Sequence, residues 1–122
     1  LIRSCMEGEE MPFVSEPTHD YIDVSDLVNG VLFLADKANE LKGKVFNISN
    51  NKTYTNEEVK NLVEKATGKK ANIKKVESLR KYDSLNWKVD NSELVNLGWK
   101  PKIPIENTLQ DMVKYYHAKR NT

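Results

Sequence analysis

Residue types able to do chemistry are few and scattered in this chain of 122 residues. The five glycines, at positions 8, 30, 43, 68 and 98, lie far apart. They cannot form the Gly-rich turn that holds a dinucleotide pyrophosphate at a helix N-terminus. Tyr115 and Lys119 have the i, i+4 spacing of an acid–base pair, but a solvated pair on a helix end is the simpler interpretation. The sequence therefore predicts no catalytic residue, no cofactor-binding residue and no metal ligands.

Arg80 and His19 are the side chains best suited to hold an anion. A guanidinium offers planar, bidentate donors to phosphate oxygens, and Arg80 lies in a segment whose composition predicts a loop. An exposed surface arginine is the alternative. A neutral or partly charged imidazole at His19 is a weaker phosphate ligand. Tyr21, Trp87 and Trp99 could stack on a base, although core packing is the commoner role of such aromatics, and we predict it for Trp99.

Composition and charge narrow the class of protein. The single cysteine, Cys5, excludes an internal disulfide and favours a reducing, cytoplasmic setting. The net charge of +1 conceals an asymmetry, since residues 1–40 hold nine acidic and two basic residues and residues 41–122 hold nine acidic and seventeen basic ones. A basic half could meet a phosphorylated ligand or a nucleic acid. Because the lysines are spread along the chain, the halves more simply complement each other or an absent partner, and we predict no nucleic-acid partner.

Targeting segments are not evident. The longest apolar run, residues 31–35, is too short to cross a bilayer, so no membrane association is predicted. No signal peptide is visible at the N-terminus. The first residue is Leu1, and residues 1–5 resemble the middle of a structural element, which suggests a piece of a longer protein.

Periodicity predicts about four helices and three or four short strands, beside a short helix within residues 1–10. One helix is capped by Ser25 and runs to about residue 38, a second starts with the capping box Thr55–Glu58 and stops at Gly68, a short third is capped by Asp90, and Pro104 begins the last. The predicted strands cover residues 12–14, 21–24, 45–48 and 71–76, and residues 77–88 are expected to be irregular. These strands are too few for a complete doubly wound sheet. The pattern predicts one small α/β lobe, residues 1–122, packed against a larger body.

Six stretches occur in the order seen in one enzyme family. The segment 19–28 resembles R-D-[FY]-I-H-V-x-D-[LV], and the segment 44–49 resembles [VY]-[FY]-N-[IV]-G. The remaining four are Thr55–Val59, Arg80–Asp83, Asp90–Glu93 with Leu97–Pro101, and Ile105–Tyr116. The chain thereby resembles the C-terminal portion of the NAD(P)-dependent nucleotide-sugar epimerases and dehydratases, which are extended short-chain dehydrogenases/reductases.

This resemblance implies a small substrate-binding lobe of a Rossmann-type enzyme whose N-terminal cofactor domain is absent from the chain. The full-length protein would hold NAD or NADP, bind a nucleotide-diphosphate sugar, and work as a cytoplasmic homodimer. It would oxidise a sugar hydroxyl transiently and then epimerise, eliminate or reduce. The lobe would contribute binding and orientation and would be inactive alone.

The resemblance also implies site residues. Arg80 matches the arginine of an R-P-G-D motif that is expected to reach the diphosphate, although Lys81 and Tyr82 replace the Pro and Gly. Asp83 matches the final aspartate and would brace the loop at the substrate. His19 stands where many relatives have a phosphate-contacting arginine. Two alternatives stay open: a stand-alone, non-catalytic binding module derived from this lobe, and a small basic nucleic-acid binder.

Overall fold

The computed structural model describes residues 1–77 and 85–121. In this part of the chain there are five helices: α1 (Ile2–Glu7), α2 (Val24–Asp36), α3 (Asn56–Thr67), α4 (Ser92–Asn96) and α5 (Ile105–Arg120). Five short strands accompany them: β1 (Met11–Phe13), β2 (Thr18–Asp20), β3 (Thr53–Thr55), β4 (Ile73–Lys75) and β5 (Asn86–Trp87). The predicted α/β class is confirmed.

Two small sheets connect distant parts of the chain. β1 pairs in parallel with β4, and β2 lies between antiparallel β3 and parallel β5. Every one of these pairings is non-local, so the strands depend on tertiary contacts for their stability.

The main core is formed by helices α1, α3 and α5. Their apolar faces meet in one cluster of buried side chains: Ile2, Cys5, Met6, Val59, Val63, Ile105, Leu109 and Val113. Cys5 is only 1% exposed, and its thiol contacts Thr67 and the carbonyl oxygen of Lys69. This core is the rigid base on which the rest of the lobe is built.

Local end signals fix helix α3 as predicted. The Thr55 hydroxyl accepts a hydrogen bond from the Glu58 backbone N–H (3.0 Å), and the Glu58 carboxylate accepts one from the Thr55 N–H (2.9 Å). Gly68 ends the helix with φ of 69°, in the left-handed region where glycine carries no Cβ penalty. The predicted capping box and stop are both confirmed.

Helix α2 is held by carboxylates at its N-terminal end. Its N-cap is Asp23, which accepts from the Ser25 backbone N–H, so the predicted cap at Ser25 was two residues late. Asp26 is buried, and one of its oxygens accepts from the backbone N–H groups of Lys102 (3.0 Å) and Ile103 (2.9 Å). These bonds attach the helix to the segment that leads into α5.

Glycine at position 30 lets α2 pack closely on its neighbours. A Cβ there would lie 3.1 Å from Ile48 and 3.3 Å from the ring of Trp99. Both distances are shorter than ordinary van der Waals separations, so a side chain at position 30 would crowd Ile48 and Trp99. The close packing that glycine permits offsets its low helix propensity. Trp99 is buried, as predicted.

The predictions for residues 21–24, residues 45–48 and Asp90 were wrong. The strand expected at 21–24 lies at 18–20, because β3 and β5 supply its partners there. Residues 45–48 form no strand within the described ranges, since no backbone partner is present. Asp90 accepts from the Ser92 N–H (2.9 Å) and lies one residue before the N-cap of α4, Asn91.

No helix in residues 1–77 and 85–121 combines the length and apolar character needed to cross a membrane.

Candidate functional site

Strand β2 is the element that places the first predicted site residue. His19 pairs with Tyr54 of β3 on one side and with Trp87 of β5 on the other. The neighbouring Thr18 fixes this arrangement, because its backbone N–H donates to the Leu85 carbonyl oxygen (2.9 Å) and its hydroxyl donates to the Asn86 side chain (2.9 Å). The sheet therefore brings together residues separated by more than 60 positions.

Two aromatic side chains, Trp87 and Tyr21, lie next to His19 and form with it an aromatic group. The His19 imidazole and the Trp87 indole lie nearly parallel, with an interplanar angle of 9° and ring centroids 6.5 Å apart. Tyr21 meets the same imidazole edge-on, with centroids 6.1 Å apart. Trp87 is 50% exposed and Tyr21 is 38% exposed. Flat ring surfaces therefore remain available to a planar base or to a sugar face.

The exposed position of Trp87 differs from the role that its sequence favours. Core packing was the commoner expectation for such an aromatic, and β5 was placed inside an irregular segment. A strand of two residues leaves no periodic pattern to detect, and its partner β2 is distant in sequence. The polar and charged neighbours Asn86 and Lys88 were the available signal that this tryptophan faces solvent.

An open groove with a volume of about 1370 Å³ lies beside this aromatic group. His19, Tyr21 and Ile22 line one part of it, and Thr108 and Met112 of α5 line another. The rest of its wall comes largely from apolar residues of α1, β1 and α3: Ile2, Met6, Met11, Phe13, Val59 and Val63. A ligand that enters the groove at β2 would meet polar and aromatic groups against an apolar floor.

Arg80 and Asp83, the other two predicted site residues, lie outside the described residues. The described residues on the two sides of their segment are Glu77 and Leu85. Glu77 lines the groove, and the carbonyl oxygen of Leu85 accepts from the Thr18 backbone next to His19.

Three hydrogen bonds connect β2 and the segments next to β3 and β5. One carboxylate oxygen of Asp20 accepts from the Asn50 backbone N–H (2.9 Å), while the other oxygen is buried without a hydrogen-bond partner. Ser49, next in the chain, is buried and donates from its hydroxyl to the Val89 carbonyl oxygen (3.0 Å). Asn91 donates from its side chain to the Ser49 carbonyl oxygen (2.8 Å). The segments after β5 and before β3 are thereby tied together.

The local environment shifts the pKa values of Tyr21 and Asp23, which lie at or next to the groove. Partial burial raises the pKa of the Tyr21 hydroxyl above its ordinary value, so the hydroxyl stays protonated at neutral pH and can donate a hydrogen bond. At the start of α2, the Thr108 hydroxyl and then the Ser25 backbone N–H hold the pKa of Asp23 below its usual range. Asp23 is therefore an anion that is already satisfied and does not offer a base to a ligand.

The described residues do not fit a dinucleotide cofactor. The glycines with positive φ are Gly8, Gly43, Gly68 and Gly98, which follow helices or lie in turns. A pyrophosphate prefers the positive N-terminal end of a helix, whereas Gly8, Gly68 and Gly98 follow the negative C-terminal ends of helices and Gly43 lies in a turn. No group of three or more metal-binding side chains occurs within the ranges 1–77 and 85–121.

Comparison with known proteins yields relatives that are much longer than this chain. No family model matches it. A rice protein (Oryza sativa subsp. japonica), Probable GDP-L-fucose synthase 1, is 31% identical over 101 residues, which cover 82% of this chain and 30% of the rice protein. The chain thus spans about a third of that relative's length.

Solved structures share the fold. UDP-glucose 4-epimerase of Thermotoga maritima, solved with UDP-glucose, is 26% identical with a TM-score of 0.78, over 97% of this chain and 38% of its own. UDP-glucose 4-epimerase of Stenotrophomonas maltophila, solved with NAD and formylated UDP-arabinopyranose, superposes with a TM-score of 0.87 at 19% identity, over 98% of this chain and 39% of its own. The second likeness concerns the fold alone.

Proposed function

Because the chain is related to a portion of the NAD-dependent epimerases and dehydratases, which are extended short-chain dehydrogenases/reductases, we propose that it is the nucleotide-sugar-binding part of such an enzyme. Residues 1–122 would form its C-terminal lobe, with NAD or NADP held by an N-terminal part outside this chain. The observation that carries the proposal is the pairing of β2 with β5, which sets Trp87 beside His19, a residue that lines the groove.

Arg80 is the proposed ligand of the diphosphate. Only four residues separate it from Leu85 in the sequence, and Leu85 is hydrogen-bonded to β2 beside His19. A guanidinium can bind two phosphate oxygens at once, and each such charge-assisted bond contributes about 1.5–3 kcal/mol. Asp83 is proposed to brace the same loop, and His19 to donate one further hydrogen bond to a phosphate oxygen.

Trp87 is the proposed stacking surface for the base. Its exposed indole lies parallel to the imidazole of His19, which supports the indole from the side of β2. Stacking of a base on an aromatic ring contributes about 1–3 kcal/mol and tolerates different bases. This geometry supports nucleotide recognition in general and makes no distinction among uridine, thymidine and guanosine.

The proposed role in the reaction is orientation. This lobe would fix the base and the diphosphate, so that the sugar would point toward a nicotinamide held by the N-terminal part. The sugar and the nicotinamide would then react from a fixed relative position and would not have to meet by diffusion. The cofactor supplies the hydride chemistry when bound. No described residue of this chain is proposed to transfer a proton or a hydride.

Calorimetric titration of UDP-, dTDP- and GDP-sugars into the whole protein tests the proposal. Loss of one bidentate phosphate contact in Arg80→Ala should weaken binding by about 10- to 100-fold, since each 1.4 kcal/mol is tenfold in affinity. Trp87→Ala should weaken it by a similar factor. Lys65→Ala, an exposed cation on α3, and Tyr115→Ala, an exposed aromatic on α5, are the matched controls and should leave affinity unchanged. Unchanged affinity in both site variants would contradict the proposal.

A non-catalytic binding module is the second candidate, because the groove and the exposed aromatic rings beside His19 can bind a ligand with or without a cofactor part. It would bind the same nucleotide sugars with no cofactor part in the whole protein. The complete reading frame separates the two candidates: a Gly-rich turn after a first strand and a Tyr-x-x-x-Lys motif upstream of these residues would identify the enzyme.

A further inference from the structure

His19 belongs to the residue type whose charge changes near neutral pH. Of the two histidines in the chain, His19 lines the groove, whereas His117 is exposed near the end of α5. An imidazole gains its charge as the pH falls from about 8 to about 5, a range in which the other side-chain types of this groove ordinarily keep theirs. A positive charge attracts an anionic ligand, and a neutral ring does not. The protonation of His19 therefore bears directly on the proposed diphosphate site.

Ring contacts hold the imidazole of His19 in place. Trp87 lies parallel to it and Tyr21 meets it edge-on. Both contacts are compatible with a neutral and with a charged ring, so the ring can keep its position when its charge changes. No acidic side chain of residues 1–77 and 85–121 forms an ion pair with it. A proton on this imidazole would therefore find its counter-charge in a bound anion.

The charged side chains on the neighbouring strands leave the groove side of β2 without a carboxylate. Asp20 follows His19 and lies on the opposite face of the strand, where one of its oxygens accepts from the Asn50 backbone N–H. On β3, Tyr54 pairs with His19, and the Lys52 ammonium lies over the Tyr54 ring, 5.1 Å from its centroid. Strands β3 and β5 contain no acidic residue.

The remaining charged and titratable groups near the site belong to the end of β5 and to the groove. Lys88 follows Trp87 and is exposed, and Tyr21 and Tyr116 are the phenols that line the groove among the described residues. The charged side chains that line it in the same part of the chain are three basic and two acidic ones: Arg3, Lys119, Arg120, Glu7 and Glu77. Their fixed charges nearly cancel, so one proton at His19 is a large relative change in the charge that a diphosphate would meet.

We propose that binding of a nucleotide-diphosphate sugar is coupled to the uptake of one proton by His19, so that affinity rises as the pH falls; this inference rests on the proposed function. The diphosphate of such a ligand stays fully ionised near neutral pH, because each phosphate is esterified and has lost its second, weakly acidic group. It stabilises the imidazolium, so the complex holds the proton more tightly than the free protein does. Binding is therefore strong at the acid end of the range and weak at the alkaline end. An arginine at this position would keep its charge throughout.

Calorimetric titration of the whole protein with UDP-, dTDP- and GDP-glucose across this pH range tests the coupling. Affinity should rise about tenfold from about pH 8 to about pH 5.5, because a charge-assisted hydrogen bond is roughly twice as strong as a neutral one. Titrations in buffers of different ionisation heat count protons, and they should show net uptake on binding. The corresponding nucleosides lack the diphosphate and should show no such dependence. Nucleotide-sugar affinity that is the same at every pH, or that changes equally for the nucleosides, would overturn the proposal.

Three variants assign the proton to one residue. His19→Gln keeps a hydrogen-bond donor but cannot be charged, so its affinity should be low and independent of pH. His19→Arg is charged throughout the range, so its affinity should be high and independent of pH. His117→Gln, at the exposed histidine of α5, is the matched control and should keep the wild-type profile. A wild-type profile in His19→Gln, or a flat one in His117→Gln, would overturn the proposal. If His19→Gln does not fold, the profile of His19→Arg decides.

The same titrations separate the proton coupling from the proposed function. Nucleotide sugars that bind the whole protein with a pH-independent affinity refute the coupling alone. If none of the three nucleotide sugars binds at any pH in the range, the proposed function is refuted and the coupling with it.

Discussion

Removal of the Asp26 carboxylate tests how α2 is held. One of its oxygens accepts from two backbone N–H groups, those of Lys102 and Ile103, and the side chain is 3% exposed. Asp26→Ala leaves both donors without a partner, at about 1–3 kcal/mol for each donor that stays buried. Since the loop that carries them can relax toward water, we expect a total loss of about 2–4 kcal/mol in the free energy of unfolding.

Asp26→Asn discriminates between loss of the acceptor and loss of the charge. Both donors use a single oxygen, so an amide oxygen in its place can still accept both bonds. This variant should lose only about 1 kcal/mol, from the weaker neutral bonds. Asp36→Ala at the exposed end of α2 is the control and should cost less than about 0.5 kcal/mol.

Equilibrium urea unfolding followed by tryptophan fluorescence is the appropriate assay. Trp99 packs against α2 at Gly30, so its fluorescence emission reports whether the helix is still packed on the lobe. A wild-type free energy of unfolding in Asp26→Ala would refute the role of this carboxylate. Equal losses in Asp26→Ala and Asp26→Asn would refute the claim that one oxygen serves both donors.

Three further predictions concern local contacts. Thr55→Ala removes the cap of α3 and should lower the free energy of unfolding by about 0.5–2 kcal/mol in urea titration; no change would contradict the capping box. Gly30→Ala should destabilise by about 1–3 kcal/mol despite better helix propensity, because its Cβ meets Ile48, and a higher melting temperature would disprove that close contact. The folded pKa of Asp23 is below its ordinary value of 3.8, so its contribution to stability is present above that pH and is lost as pH falls through the lower folded value. Acid unfolding of Asp23→Asn should therefore be less steep than that of the wild type below about pH 4, and an identical profile would count against the bond from Thr108.

The parts of the fold that could be predicted are those determined locally. Thr55, Glu58 and Gly68 signal the start and end of α3 within one segment, and the structure has them in those roles. The misplaced strand near residue 21 shows the opposite case. Its position is set by β3 and β5, which are distant in the sequence, and a β-prone composition alone gives no register.

Residues 45–48 show why a strand can be right in type and absent as a paired element. The β-prone residues Val45, Phe46 and Ile48 predict a strand, yet a strand also needs a partner, and none exists in the described chain. The role of Asp26 was equally out of reach. A position near a helix N-terminus indicates at most a favourable interaction with the helix dipole, while the actual partners of Asp26 lie 76 and 77 residues away.

The candidate site was predictable in part. His19 was identified from its residue type and from the motif around it, and the structure places it on the groove. Trp87 was named only as one of three aromatics that could stack on a base, and the pairing of β5 with β2 is what places it beside His19. The roles of Arg80 and Asp83 stay predictions, because both lie outside the described residues.

A crystal structure of the whole protein with a bound UDP-sugar tests the central claim most directly. The account predicts the base against the Trp87 ring at roughly 3.5–4.0 Å and an Arg80 guanidinium nitrogen within about 3 Å of a phosphate oxygen. A UDP-sugar bound away from β2 and β5, with no contact to Arg80, His19 or Trp87, would contradict it.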